Sequence, residues 1–143
     1  MTTCYKHGMG SHRVLRRIGF CYGHRIRGHG GPCAHLHGHN AMVEIVCEGP
    51  LDALGMVVDF GEIRDRIGRW IDDHWDHRMV LARSDPIVPT LRDAGEPLFL
   101  LDAPPTAENM AAHLYGIARG AGLPVLAVRF WETETSMASF GEA

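Results

Sequence analysis

Three histidines in the first third of the chain have a spacing suited to holding a metal ion. His37 and His39 are separated by one residue, so on an extended segment their side chains point the same way. His24 ends an earlier alternating segment and can supply a third imidazole. Three imidazole nitrogens suit zinc and leave one coordination position open for water or substrate. His35 alternates with the later pair as well, so it is an alternative to His24 as the third ligand.

Cys33 lies four residues before His37 and has two competing interpretations. As a fourth ligand, its sulfur would close the metal shell and make a structural zinc site without chemistry. As a free thiol near the cation and near His77, it would provide a reactive thiolate. Asp76 directly precedes His77 and can orient that imidazole for proton relay, although such a pair also serves as a helix-end cap.

A carboxylate continues an otherwise apolar strand face near the C-terminus. Leu126, Val128 and Phe130 share this face, and Glu132 follows them at the same spacing. Because an unpaired carboxylate on a buried face is costly, we expect Glu132 to have a partner. A flat heterocycle with two adjacent N–H donors would satisfy it bidentately, and so would an internal arginine. Buried faces that end in histidines and a glutamate predict one functional site at their common rim.

Hydrophobic periodicity predicts the elements that position these residues. Alternation indicates strands over residues 13–24, over 40–48 with the same face continued back to His37, and over 125–133. Asp59 and Thr106 begin two predicted helices. Residues 78–105 are expected to form a long connection with a short helical turn and a strand at Leu98–Leu101, and a further short strand is allowed at the C-terminal end. This order predicts one α+β domain over residues 1–143, with a pair of helices on one face of a mainly antiparallel sheet.

Composition restricts the class of protein further. The 143 residues are 45% hydrophobic and 22% charged, which suits one compact domain. No apolar run approaches the roughly 18 residues of a membrane span, and no secretory signal precedes the domain, so a soluble cytoplasmic protein is expected. The cysteines form no C-x-x-C pair and are expected to be reduced thiols: Cys4, Cys21, Cys33 and Cys47.

Charge is distributed unevenly along the chain. The first 43 residues contain Lys6 and five arginines but no acid, whereas the net charge of the whole chain is -3. A basic segment of this kind is either a solvated face or an anion binder, so a phosphorylated substrate is a reasonable hypothesis. Nucleic acid is not favoured, because the chain is mildly acidic overall and has no helix-turn-helix or stacking-aromatic signature.

Taken together, these residues resemble the 6-pyruvoyl-tetrahydropterin synthase and 6-carboxy-tetrahydropterin synthase family. The matching segments occur in the same order as in the family and span nearly the whole chain. Its segments are Phe20-Cys-Tyr-Gly-His24, Cys33-Ala-His-Leu-His37-Gly-His39-Asn40, Gly55-Met-Val-Val-Asp59-Phe60, Asp76-His77, Pro105-Thr106-Ala-Glu108-Asn109 and Trp131-Glu132-Thr133. The chain departs from the family pattern at Cys21, Tyr22 and Gly23, where small residues are usual, and at Ala41, where an aromatic residue is usual.

The resemblance implies a tunnelling fold, in which subunits join their sheets into a barrel, commonly as a hexamer with active sites at subunit interfaces. It implies zinc bound by the three histidines His24, His37 and His39, with Cys33 as the general base.

The remaining site residues follow from the same resemblance. His77 would be the relay partner of Cys33, supported by Asp76, and Glu132 would anchor the pterin. Thr106 and Glu108 would line or buttress the pterin pocket.

The offset of four residues between Cys33 and His37 is similar to the bacterial 6-carboxy branch of the queuosine pathway. The implied activity is that of a zinc-dependent lyase, a 6-carboxy-5,6,7,8-tetrahydropterin synthase acting on 7,8-dihydroneopterin triphosphate. The alternatives are a 6-pyruvoyl-tetrahydropterin synthase and a non-catalytic zinc-stabilised binding module.

Overall fold

One mixed sheet of six strands organises the protein, whose computed structural model describes residues 10–141. Cys4 and Lys6 lie outside the described residues. The strands are β1 (His12–His24), β2 (His37–Gly49), β3 (Arg78–Ala82), β4 (Leu98–Leu101), β5 (Val125–Thr133) and β6 (Ser136–Gly141). Their spatial order is β4-β3-β1-β2-β5-β6. Neighbours from β1 to β6 pair antiparallel, whereas β3 and β4 join the β1 side in parallel.

Between residues 10 and 141, four α-helices accompany the sheet: α1 (Phe60–Ile63), α2 (Arg69–His74), α3 (Val88–Asp93) and α4 (Ala107–Gly120). A π-helical turn at Arg64–Gly68 joins α1 to α2, so the two form one continuous helical stretch. The Asp59 side chain accepts a hydrogen bond from the Gly61 N–H, and the Thr106 hydroxyl accepts one from the Asn109 N–H. Both predicted helix starts and the predicted α+β class are therefore confirmed.

The connection over residues 78–105 is more regular than its sequence indicated. β4 coincides with the predicted strand, and α3 supplies the expected helical turn. β3 was not predicted, and its ladder with β1 is limited to Tyr22 and Gly23. Parallel strands are joined by long crossovers, so no adjacent turn marks such a strand and local patterns give little sign of it.

The hydrophobic core lies between one sheet face and the helices. The sheet contributes buried side chains that include Phe20, Val43, Ile45 and Phe130, and the helical side contributes Ile63, Ile67, Ile71, Met110 and Leu114. Burial of each large apolar side chain stabilises the fold by about 1.5–3 kcal/mol. Tyr22 and then His24 continue the same face of β1, so the functional site begins where the core ends.

The opposite sheet face carries polar and aromatic residues instead of helices within the described part of the chain. Glu44 is buried there and accepts hydrogen bonds from Arg17, Arg129 and the Trp131 indole, each at 3.1 Å. These donors neutralise the Glu44 carboxylate, which would otherwise be costly to bury. No helix between residues 10 and 141 is long and apolar enough to cross a membrane.

Candidate metal centre and active site

Four side chains converge at the rim of the core, where β1 and β5 end and β2 begins. One donor atom from each of His24, His37, His39 and Glu132 lies within 4.8 Å of the other three. The Nε2 atoms of His24 and His39 are 3.2 Å apart, and Glu132 Oε1 lies 3.1 Å from the first and 3.0 Å from the second. The antiparallel register pairs His24 directly with His37, which explains why two distant segments meet here.

Backbone carbonyls orient two of these imidazoles. His24 Nδ1 is 2.7 Å from the carbonyl oxygen of Pro105, and His37 Nδ1 is 2.6 Å from that of His35. Because a carbonyl only accepts, each Nδ1 carries the proton and each Nε2 keeps its lone pair for a metal. His35 thus contributes through its backbone, and its side chain is outside the cluster found among the described residues.

Burial favours the neutral imidazole at this site. His24 is only 1% exposed. Burial is the largest cause that lowers the pKa of both His24 and His39; neighbouring imidazole charge adds to the effect, and the Glu132 carboxylate opposes it. Neutral imidazole is the form that binds metal, so the donor set fits zinc: three nitrogens plus a nearby carboxylate oxygen.

Glu132 occupies an irregular point of β5. The register of β5 against β6 shifts between Trp131 and Thr133, so Glu132 lies in a β-bulge, a distortion that re-aims side chains. The Tyr22 hydroxyl is 3.4 Å from Glu132 Oε1. Burial, followed by the charge and hydrogen bond of Glu132, raises the pKa of Tyr22, which keeps this hydroxyl a donor. The partners of Glu132 within the described chain are therefore histidines and a tyrosine, not an arginine.

A cavity of about 320 Å³ adjoins the cluster. His24 and Glu132 line it together with Cys33, Thr106 and Glu108. Cys33 lies in a 3-10 turn at Pro32–Ala34, and its carbonyl accepts a hydrogen bond of 2.7 Å from the Ile26 N–H. Its sulfur is not part of the four-residue cluster. This placement favours the free thiol over a closed metal shell.

The start of α4 is connected through the backbone to the histidine cluster formed by His24, His37, His39 and Glu132. Thr106 caps the helix, and Glu108 lies in its first turn, where the helix dipole favours a carboxylate. The preceding residue, Pro105, supplies the carbonyl that orients His24. The cap, the cavity wall and His24 therefore form a single structural unit.

Asp76 and His77 lie on the other face of the sheet. Asp76 Oδ2 is 2.9 Å from His77 Nδ1, and Asp76 Oδ1 accepts a 3.0 Å hydrogen bond from the Cys21 N–H. Cys21 alternates with Tyr22 along β1, so the Cys21 side chain points away from the core. The structure therefore brings Asp76 and His77 together but does not bring them to Cys33 within one chain.

Several groups at or near the site were not predicted from the sequence. Tyr22 precedes His24 by two residues on the same face, so alternation was a usable signal for it. The carbonyls of His35 and Pro105 left no signal, because every residue type supplies one. On the opposite face, the hydrogen bond from the Cys21 backbone N–H to Asp76 joins segments 55 residues apart, so local patterns give no sign of it.

The sequence of the chain is similar to those of known proteins. Residues 13–143 match the family described as 6-pyruvoyl tetrahydropterin synthase. The 6-carboxy-5,6,7,8-tetrahydropterin synthase of Rickettsia felis is 42% identical over 105 residues, which cover 71% of this chain and 76% of that protein. The protein of the same name from Haemophilus influenzae is 27% identical over 139 residues, covering 91% of this chain and 99% of the relative.

Solved structures share the fold of this chain. A crystal structure of an uncharacterized protein from Wolinella succinogenes superposes with a TM-score of 0.79 at 26% identity, covering 93% of this chain and 99% of the other. The 6-pyruvoyl tetrahydropterin synthase of Caenorhabditis elegans gives a TM-score of 0.69 at 20% identity over 94% of this chain and 98% of that one. The second likeness concerns the fold alone.

Proposed function

The chain belongs to the 6-pyruvoyl tetrahydropterin synthase family, a family of lyases, and from this premise we propose that it is a zinc-dependent 6-carboxy-5,6,7,8-tetrahydropterin synthase. Its substrate would be 7,8-dihydroneopterin triphosphate. The observation that carries the proposal is the imidazole cluster beside a cavity that contains Cys33 outside the ligand set. Relatives named for the carboxy product support the choice of product class.

His24, His37 and His39 would hold the zinc through Nε2. The two Nδ1 hydrogen bonds to backbone carbonyls support this role, because they fix the tautomer that leaves Nε2 free. When bound, zinc supplies Lewis acidity that polarises the side-chain hydroxyls of the substrate and lowers their pKa.

The cavity would receive the pterin and its side chain. Thr106, Glu108 and Glu132 line it, and a carboxylate can bind two adjacent N–H donors of a pterin ring bidentately. Cys33 in the same cavity would move protons between the substrate side chain and the ring. Loss of triphosphate and acetaldehyde, with one water consumed, would complete the conversion to the carboxy product. The basic N-terminal segment would favour the triphosphate.

One subunit would supply Asp76 and His77 to the proton chemistry at the Cys33 cavity of its neighbour. Within one chain they are on the sheet face opposite to the Cys33 cavity, whereas the pairing of Asp76 with His77 at 2.9 Å is already formed. A relay between Cys33 and His77 of the partner subunit resolves this separation. Self-association, with six copies as the expected number, and a cytoplasmic location belong to the same proposal.

The direct test is to incubate zinc-loaded protein with 7,8-dihydroneopterin triphosphate and to identify the product by mass. A carboxy-tetrahydropterin is expected. A pyruvoyl product would reassign the activity to the other branch, and the absence of either product would remove the proposal. The same assay on Cys33→Ala tests the role of the cavity thiol. Cys47→Ala is its matched control, because Cys47 is buried outside the cavity.

A further inference from the structure

A second group of metal-ligating side chains lies on the helix-free face of the sheet. One donor atom from each of Cys21, Asp76 and His77 lies within 4.8 Å of the other two. Thiolate, carboxylate and imidazole are all common zinc donors, and thiolate also selects for soft cations. This group, the Cys21 cluster, shares no residue with the histidine cluster.

The Cys21 cluster is accessible from two directions. Cys21 and Asp76 line a cavity of about 740 Å³, and Cys21 and His77 line a smaller one of about 170 Å³. The His77 side chain is 77% exposed, so it can turn towards an incoming ion. Within a single chain, a hydrated cation can therefore reach all three donors without opening the core.

The backbone of His77, a member of this cluster, has an uncommon conformation. His77 has a φ of 57° and is the only non-glycine residue with positive φ between residues 10 and 141. The left-handed conformation costs a residue with a β-carbon roughly 1–2 kcal/mol, and such strain concentrates at functional sites. The His77 N–H donates a 2.7 Å hydrogen bond to the Cys21 carbonyl, which ties the strained residue to the strand that carries the thiol.

We propose that Cys21, Asp76 and His77 form a second metal site, for a thiophilic divalent cation such as zinc or cadmium. A tetrahedral zinc ion needs its sulfur, nitrogen and oxygen donors about 3.3–3.6 Å apart, so donors within 4.8 Å of one another need to move by no more than about 1.5 Å on binding. The Cys21 thiol releases its proton to solvent, and a ring nitrogen of His77 turns from Asp76 to the ion. Solvent water completes the coordination.

Charge sets the strength of this site. Thiolate and carboxylate together balance the two positive charges of the ion. Arg78 lies nearby, where it donates hydrogen bonds to the backbone carbonyls of Asp72 and Asp76, and its charge opposes a bound cation. The Cys21 cluster therefore binds zinc more weakly than the buried histidine cluster and fills only when zinc is in excess.

An occupied Cys21 cluster has a functional consequence that rests on the proposed function. An ion that binds His77 and Asp76 removes them from the proton relay with Cys33. Excess zinc then inhibits the enzyme that one equivalent of zinc activates. Cys21 supplies the only sulfur donor of the Cys21 cluster, so this inhibition requires a thiol at that position.

The test begins with protein loaded with one equivalent of zinc and titrated with cadmium. Thiolate-to-cadmium charge transfer in the near ultraviolet reports a sulfur ligand. One additional equivalent with this absorption is expected in the wild type, in Cys47→Ala and in Cys33→Ala, and its loss is expected in Cys21→Ser, which preserves side-chain size. An absorption that persists in Cys21→Ser, or that never develops in the wild type, overturns the site.

Turnover gives a second readout. Excess zinc should lower the activity of the wild type at least 10-fold and leave Cys21→Ser unaffected, whereas both proteins should have equal activity at one equivalent. Equal inhibition of the two proteins overturns the regulatory part of the inference. If neither protein converts the pterin, the proposed function fails, and the cadmium titration still decides whether the site exists.

Discussion

The two clusters use nearby residues of β1, Cys21 and His24, yet their surroundings differ. The histidine cluster uses His24 on the core face, where burial, backbone carbonyls and a direct cross-strand pair place the donors in advance. The Cys21 cluster uses the opposite face, where His77 is exposed and its backbone strained. Burial gives the first cluster a fixed geometry, and exposure leaves the second free to meet an ion or a partner subunit.

The largest effect is expected from removing a ligand of the buried cluster. His37→Ala leaves two imidazoles, so zinc affinity should fall by more than the roughly 10–100-fold typical of losing a group that only orients a ligand, and turnover should be lost with it. Metal analysis after dialysis measures the first effect. His35→Ala is the matched control, because its carbonyl still orients His37; equal zinc loss in that variant would contradict the ligand set.

Cys33→Ala separates chemistry from metal binding at the same cluster. Turnover should fall about 10²–10⁴-fold, the usual contribution of general acid–base catalysis, because the cavity loses its thiol. Zinc content and thermal midpoint should stay unchanged, since the sulfur is outside the cluster. Loss of zinc together with stability would favour the closed structural site instead.

Glu132→Gln distinguishes the two uses of the bulge carboxylate. As a pterin anchor, Glu132 contributes a charge-assisted interaction of about 1.5–3 kcal/mol, so KM should rise roughly 10–100-fold while zinc content is retained. As a metal ligand, it would instead lower zinc affinity. Parallel measurement of KM and of zinc dissociation decides between these outcomes, and a variant unchanged in both would remove Glu132 from the site.

Strain at His77 predicts that two substitutions of this residue will differ in stability. Asn tolerates the left-handed conformation, whereas a β-branched residue does not, so His77→Val should be less stable than His77→Asn by about 1–2 kcal/mol. Urea unfolding of the two zinc-loaded variants measures this difference. Equal midpoints would mean that the backbone relaxes and that the turn is not rigid.

Asp76 should give the smallest effect on stability, confined to acid. Burial alone raises its pKa, but hydrogen bonds from the Cys21 N–H and His77, with the charges of His77 and Arg78, hold the pKa of Asp76 below its ordinary value. A lowered pKa adds stability above the unfolded value of about 3.9 and loses it as pH falls through the folded value. Asp76→Asn should therefore flatten the acid limb of the stability curve, and an unchanged limb would contradict this coupling.

Local patterns predicted most elements because each has its own periodicity or cap. β1, β2, β5 and both capped helices carry such signals. β3 does not, because its pairing partner lies more than 50 residues earlier in the chain and parallel pairing leaves no turn to mark it. The β5 bulge is likewise a property of two strands together, so alternation alone placed Glu132 on the right face without revealing its distortion.

The sequence by itself determined the donor types: the spacing of His37 and His39, the end of an apolar face at His24, and a thiol at Cys33. Only the tertiary structure decided which donors meet. It gathered Glu132 with the imidazoles, left Cys33 outside them, and paired Asp76 and His77 with Cys21 on the opposite face. The reason is physical: side-chain identity and alternation are local, whereas register, bulges and sheet order depend on contacts between distant strands.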